Sequence, residues 1–264
     1  LLENGEEKMR IVIKIGTSTL AHPSGLLNIK RVEELCKIMS DLKNAGNEII
    51  LVSSGAIAMG VGKLSLHEKP HDIPTRQAAA AVGQCELMYT YDKLFAEYNH
   101  TVAQILITGD DVEHENRRHN FENTILRLLQ LGVLPIINEN DTISTDEIVI
   151  GDNDTLGAIV AKAVSADLFI LLSDIDGLFT ADPHKDENAR LIDVVEEITP
   201  EIEKMTGGAG SKLGTGGMTT KLKAAATANA AGIDMVIANG KNPKLLYDIV
   251  DGKNVGTKFL AKKA

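Results

Sequence analysis

The chain has 264 residues, 44% hydrophobic and 24% charged, enough to bury a sizeable core as one large α/β domain or as two fused lobes. A formal charge of −10 argues against nucleic acid as the main partner, because phosphate backbones need clustered Lys and Arg, although a local pocket can still be basic. Aromatics make up 3% and Trp is absent, so Ile, Leu, Val and Ala must fill the interior.

The opening LLENGEEKMR lacks the apolar stretch of a signal peptide, and no later apolar run reaches membrane-spanning length, which points to a reducing, cytoplasmic home. Arg10–Ile15 (RIVIKI) reads as a first buried strand. Its last residues open KIGTSTL, Lys14–Leu20. A lysine near a strand end, followed by Gly16 and small hydroxyl residues, suits a phosphate contact; a solvated surface lysine is the plain alternative. The second and third glycines of a dinucleotide fingerprint are missing. Asn28 then caps a helix whose apolar positions Val32, Leu35, Ile38, Met39 and Leu42 recur at helical spacing and end near Gly46.

Glu48–Ser53 (EIILVS) is a second strand that runs into SSGAIAMG, a small-residue helix start. Here Ser54 and Gly55 can present backbone N–H groups to a carboxylate or phosphate, or Ser can simply cap a tight turn. A long Ala-rich helix over Thr75–Tyr98, a strand Val102–Ile107, a helix Asn116–Leu131 stopped by Gly132 and a strand Leu134–Asn138 follow. Cys36 and Cys85 fall far apart inside predicted helices, fit neither a disulfide framework nor a zinc pattern, and are expected to be small buried hydrophobes. His114 and His119 are five apart, off the spacing of a zinc pair on one helix face, and no residue is assigned to a metal.

Ile137–Ala158 is the most informative stretch. Asn138, Glu139, Asn140, Asp141, Asp152, Asn153 and Asp154 cluster at two turns bracketing Thr142–Ile150, which alternates like a hairpin arm. Turn formation accounts for one Asn/Asp cluster but less well for two. Such density suits binding an ammonium, orienting lysines or holding Mg²⁺, but not an EF-hand, whose spacing is absent. Thr155–Val164 is helical and Leu168–Ser173 (LFILLS) is the most hydrophobic strand. The glycine-rich Thr206–Gly217 reads as a mobile loop, followed by a helix Thr219–Ala231, a stop at Gly232 and a strand Asp234–Ala238. Within Gly214–Ala226 a glycine run opens that helix with Lys221 in its first turns, so amides, helix dipole and a cation converge on an anion. It is not a Walker A loop, and a flexible linker is the alternative. There is no internal repeat, and the alternation of strands and helices predicts a mainly parallel sheet.

KIGTSTL, VSSGAIAMG, INENDTIS, IGDNDTLGA, LSDIDGLFTADP and GTGGMTTK occur in the order found in the amino acid kinase family, which the chain resembles from about Met9 to Phe259. The pairing of INEND with GDND is most similar to the γ-glutamyl kinase branch of that family. Members of that branch often add a C-terminal PUA domain; here the chain stops shortly after GTKFL, so a short natural form or a trimmed one is expected. The resemblance implies a three-layer αβα sandwich around one mainly parallel sheet. It implies one kinase domain, with a substrate lobe over about 9–160 and a nucleotide lobe over about 161–264.

It further implies transfer of the γ-phosphoryl group of ATP, with Mg²⁺ on its phosphates, to the γ-carboxylate of L-glutamate in proline biosynthesis. Lys14 and Lys221 would flank the migrating group, Asp154 would hold them, and Gly16 and Gly55 would offer backbone donors. Ser54, Asp141 and Asn153, with Asn138 and Asp152 nearby, would bind glutamate. Lys14, Gly16, Ser173, Asp174, Thr215, Gly216, Gly217, Met218, Thr219, Thr220 and Lys221 would bind ATP. The family also implies a dimer or tetramer and feedback inhibition by proline. One rival is a kinase of the same fold acting on acetylglutamate, carbamate, aspartate or a nucleoside monophosphate, against which the INEND/GDND pair stands. A non-catalytic sensor or storage protein is the more distant rival, and both lysines together with Asp154 speak against it.

Overall fold

The computed structural model describes residues 8–262 except positions 23, 25, 69, 144–151, 184 and 206–216. The strands are β1 (Arg10–Ile15), β2 (Glu48–Ser53), β3 (Val102–Ile107), β4 (Leu134–Glu139), β5 (Leu168–Ser173), β6 (Val194–Val195), β7 (Asp234–Asn239) and β8 (Thr257–Phe259). The helices between them are α1 (Thr17–Leu20), α2 (Ile29–Asn44), α3 (Ala56–Lys63), α4 (Ile73–Ala96), α5 (Gly109–Glu113), α6 (Glu115–Gln130) and α7 (Asn153–Ala163). After these come α8 (Pro200–Met205), α9 (Met218–Ala230) and α10 (Leu245–Val250). All strands join one sheet in the order β3-β4-β2-β1-β5-β7-β8-β6, parallel throughout except for the antiparallel β7–β8 pair.

Because strand side chains alternate between faces, this sheet builds two cores. Val12, Val52, Ile137, Phe169, Leu171 and Ile237 pack beneath α6, α7 and α9. Ile13, Leu51, Ile136, Ile170, Leu172 and Ala238 pack beneath α2, α4 and α10. The result is the expected three-layer αβα sandwich, its sheet continuous from β3 to β6. The same alternation decides where the polar strand ends point. Lys14 and Ser173 share parity with Val12 and Leu171 and face α7 and α9, whereas Ser53 and Asn138 share parity with Leu51 and Ile136 and face α4.

Helix starts follow the side chains that cap them. Asn28 accepts from the Arg31 N–H at 3.3 Å, Asp72 from that of Thr75 at 2.9 Å, and Asp152 from those of Asp154 and Thr155 at 2.7 and 2.9 Å. α3 starts differently from the Ser-capped turn considered above. Its N-cap is Gly55 at φ +96°, a left-handed conformation that side chains resist, and no side chain caps it. The long helix begins two residues earlier than Thr75 and ends two before Tyr98. α5, α8, α10, β6 and β8 are additional elements that periodicity does not mark, all six residues or shorter. Cys36 is buried as expected, but Cys85 is exposed. On α4 the inward positions are Ala80, Gly83, Gln84, Leu87 and Tyr91, and Cys85 lies on the other side of the helix. Of Thr142–Ile150 and Thr206–Gly217, all but Thr142, Ile143 and Gly217 lie outside the described residues. Among the described residues no helix is long and apolar enough to cross a membrane.

α3 and α4 touch backbone to backbone. A Cβ on Gly83 would fall 1.8 Å from the Ala56 carbonyl oxygen, and one on Gly60 the same distance from that of Ala79. Since the obstacle is main chain, Gly83→Ala is expected to cost about 1–3 kcal/mol of stability through forced separation of the two helices. Thermal unfolding checks this: the melting temperature should drop by roughly 2–4 °C per kcal/mol for a domain of this size.

Candidate active site

β1 lies between β2 and β5, so successive crossovers leave it on opposite sides and open a crevice at the carboxyl ends of the central strands. α7 covers this switch point, and its closeness depends on Gly157. A Cβ there would meet the Phe169 ring at 2.6 Å and the Lys14 Cβ at 3.4 Å. With that space kept clear, Asp154, at the second position of α7, comes down onto Lys14.

Three buried charges meet at this point. Lys14 Nζ lies 2.5 Å from Asp154 Oδ1, and Lys221 Nζ lies 2.9 Å from Asp154 Oδ2. Asp154 is 1% exposed, Lys14 8% and Lys221 6%, so none of the three charges is diluted by water. The Thr220 hydroxyl lies 3.2 Å from Asp154 Oδ2 and 2.8 Å from the Gly217 carbonyl. Burial alone would raise the Asp154 pKa, but the two ammonium groups outweigh it and hold the carboxyl below its usual range. For Lys14 the balance runs the other way. Burial lowers its pKa most, Asp154 opposes this, and Lys221 adds to the lowering. With both lysines charged, these three residues sum to +1 beneath the N-termini of α7 and α9, with the half-buried Asp152 carboxylate also acting on Lys14 from the α7 N-cap, and the two ammonium groups and helix ends together can receive an anion. Gly16 leaves that side open: a Cβ there would sit 3.6 Å from Lys14 Nζ.

A second, amide-rich group lies beside it on the α4 side. Asn153 Nδ2 donates to the Ser53 carbonyl at 2.9 Å, the Ser54 hydroxyl at 2.7 Å and Asn138 Oδ1 at 3.1 Å. Asn138 is 2% exposed and its Nδ2 donates to Gln84 Oε1 at 2.9 Å, while the Ser53 and Tyr91 hydroxyl oxygens lie 2.9 Å apart. Asp152, half-buried, spends one carboxylate oxygen on capping α7. Asp141 lies just past β4. Burial, and then the charge of Glu139, pushes its carboxyl up to about 6, with Arg76 pulling the other way.

On the far side of β1, the Ser173 hydroxyl donates to Asp174 Oδ1 at 3.2 Å at the end of β5, and Gly217, Met218 and Thr219 begin α9. Thr215 and Gly216 lie outside the described residues. The structure thus brings Lys14, Asp154, Thr220 and Lys221 together and groups Ser54, Asn138 and Asn153 beside them. Gln84 and Tyr91 are the polar contributors that sequence reasoning missed. A Gln on the buried stripe of an Ala-rich helix was the available signal.

A three-layer kinase-like sandwich with a cationic crevice at its switch point defines a class, and comparison agrees: the amino acid kinase family matches over residues 9–239. The chain belongs to that family. Glutamate 5-kinase of Clostridium perfringens (strain 13 / Type A) is 53% identical over 98% of this chain and 97% of its own. Glutamate 5-kinase of Listeria innocua serovar 6a is 49% identical over 99% of this chain and 96% of its own. Among solved structures, carbamate kinase from Giardia lamblia bound to AMP-PNP superposes with a TM-score of 0.70 at 17% identity. It covers 97% of this chain and 99% of that one. T. acidophilum isopentenyl phosphate kinase, in a product complex, gives 0.67 at 15% identity over 95% and 99%. At such identities these two share the fold.

Proposed function

We propose that the chain transfers the γ-phosphoryl group of ATP to the side-chain carboxylate of L-glutamate, forming γ-glutamyl phosphate and ADP, the first step of proline biosynthesis. The observation that carries this reading is the buried Lys14–Asp154–Lys221 cluster, two ammonium groups fixed on one carboxylate where strands β1, β2, β4 and β5 end. A glutamate carboxylate oxygen attacks the γ-phosphorus, and the bond to the β,γ-bridging oxygen breaks with its electron pair leaving on ADP. The acceptor is already ionised, so the step needs no general base. The site is consistent with that: its central carboxylate, Asp154, is engaged by two ammonium groups and a hydroxyl. Positioning and charge neutralisation are what remain for the protein to supply.

In this reading Lys14 and Lys221 neutralise the phosphoryl oxygens, and Asp154 keeps them apart and aimed. Gly16 and Gly55 add backbone donors. Ser54, Asp141 and Asn153, with Asn138 and Asp152, hold glutamate in the part up to about residue 160. Ser173, Asp174 and Thr215 through Lys221 hold ATP in the remainder. Magnesium would be carried in with the nucleotide and would spread the charge of its phosphates, while both Asp154 oxygens already face a lysine. Both substrates are cytoplasmic metabolites, and the same reading includes a homodimer or homotetramer and inhibition by proline. ADP release with Mg-ATP over L-glutamate, N-acetylglutamate, aspartate, carbamate and UMP is the test. A different preferred acceptor would overturn the substrate, and no turnover with any would overturn the kinase.

Asp141 gives this reading a pH signature. At neutral pH a carboxyl with a pKa of about 6 is mostly ionised and attracts the glutamate ammonium; below that pH it is mostly protonated and does not. Bound ammonium favours the charged form, so glutamate binding near this pH should release a proton. The glutamate KM is therefore expected to rise by up to roughly tenfold per pH unit on the acid side, with the ATP KM following its own course. Initial rates between about pH 5 and pH 8 check it; parallel changes in both constants would remove Asp141 from the acceptor site.

A further inference from the structure

We infer that Gln84 is a positioning residue for the acceptor. Acting through Asn138, it holds Asn153 with the side-chain carbonyl oxygen turned outward to receive the ammonium group of the amino acid. This rests on the reading of L-glutamate as acceptor.

Two backbone groups fix the polarity of the chain of amides, because a main-chain N–H can only donate and a carbonyl only accept. The Glu139 N–H donates to Asn138 at 2.9 Å, so the atom of Asn138 facing it is the oxygen. Asn138 therefore turns its NH₂ to Gln84, which must answer with Oε1, at 2.9 Å. At the other end the Ser53 carbonyl accepts from Asn153 at 2.9 Å, so the atom there is Nδ2. The same nitrogen also reaches the Ser54 hydroxyl and Asn138 Oδ1. With the Asn153 amide nitrogen committed to Ser53, Ser54 and Asn138, Oδ1 is the atom of that amide left to receive a ligand. Among the described residues no hydrogen bond to it is formed.

An outward carbonyl oxygen selects its ligand group. At neutral pH free glutamate offers a single class of donor, its α-ammonium, while both carboxylates are acceptors that a carbonyl oxygen repels. Gln84 is 7% exposed and sits beside Gly83, where α4 meets α3 main chain to main chain, so the helix that carries it cannot slide. Without the Gln84 oxygen, the Asn138 NH₂ would be left unpaired in the interior. Rotating it away would present nitrogen to nitrogen against Asn153 and release that amide to turn as well.

The test is Gln84→Met, which keeps length and flexibility but removes the amide. The glutamate KM is expected to rise about tenfold or more, with kcat and the ATP KM within about twofold of wild type. Glutarate, which lacks the ammonium, serves as the probe: its inhibition constant against glutamate should stay within about twofold. In an Asn138→Ala background, where the glutamate KM is already raised, adding Gln84→Met should raise it no further. Gln84→Glu, which retains an oxygen toward Asn138, should stay near wild type in glutamate KM and keeps the question answerable if the Met variant does not fold. An unchanged glutamate KM, or glutarate inhibition weakened in step with it, would overturn the inference. Wild-type protein that does not turn over glutamate would instead overturn the acceptor reading on which it rests.

Discussion

Lys221→Met is expected to cut turnover by ~10²–10³, about 3–4 kcal/mol of transition-state stabilisation, while leaving glutamate binding close to wild type. The side chain is buried at the start of α9 and meets Asp154 at 2.9 Å, where charge develops on the transferred group. Its loss takes the cluster from net +1 to neutral but leaves Asp154 paired with Lys14 at 2.5 Å, so the fold keeps a compensated buried carboxylate. Asp154→Asn would be a poorer probe. It would leave two buried ammonium groups facing each other, at a cost of about 3–5 kcal/mol in stability, and inactivity could then reflect unfolding. Calorimetric glutamate titration alongside single-turnover ADP formation separates binding from chemistry. Turnover near the wild-type rate would remove Lys221 from the phosphoryl path.

How the sequence yields such a site, and where it does not, follows from the range of the forces involved. Strand alternation is local, so RIVIKI, EIILVS and LFILLS specify buried strands and also put Lys14 and Ser173 on one face and Ser53 on the other. Caps are local too, and Asn28 starts α2 as read. Pairing is not local. Lys14 and Asp154 are separated by 140 positions, and their contact depends on Gly157 admitting α7 to the sheet, a matter of packing rather than of any spacing. The backing of the amide network was hidden for the same reason: Gln84 and Asn138 are 54 positions apart. Within α4, Gln84 reads as one polar residue in an Ala-rich run, and neighbouring Cys85 reads as core although it faces outward. β6 and β8, two and three residues long, are too short for a period-two pattern and exist through pairing with each other and with β7.

Against N-acetylglutamate, L-glutamate is expected to be preferred by ~10⁴ or more in kcat/KM, the range reached when a site built for a hydrogen-bond donor meets an analogue that lacks it. N-acetylation replaces the α-ammonium by a neutral amide and adds bulk at the same point. Asp141, already half-buried just past β4, would lose its counter-charge on binding such an acceptor. The outward oxygen of Asn153 would keep at most one weaker donor, and it cannot turn to suit a different group while its nitrogen is held by Ser53, Ser54 and Asn138. The penalty thus falls on two acceptors that the fold has oriented in advance, unlike the modest loss from a missing methylene in an apolar pocket. Asp141→Asn should relax part of it by raising the glutamate KM far more than the ATP KM, because the amide keeps the shape of the pocket and gives up its charge. Turnover with the two acceptors in direct competition decides the matter. Efficient phosphorylation of N-acetylglutamate would leave the kinase fold and the lysine cluster in place but assign the Asp141 and Asn153 side of the crevice to a different acceptor.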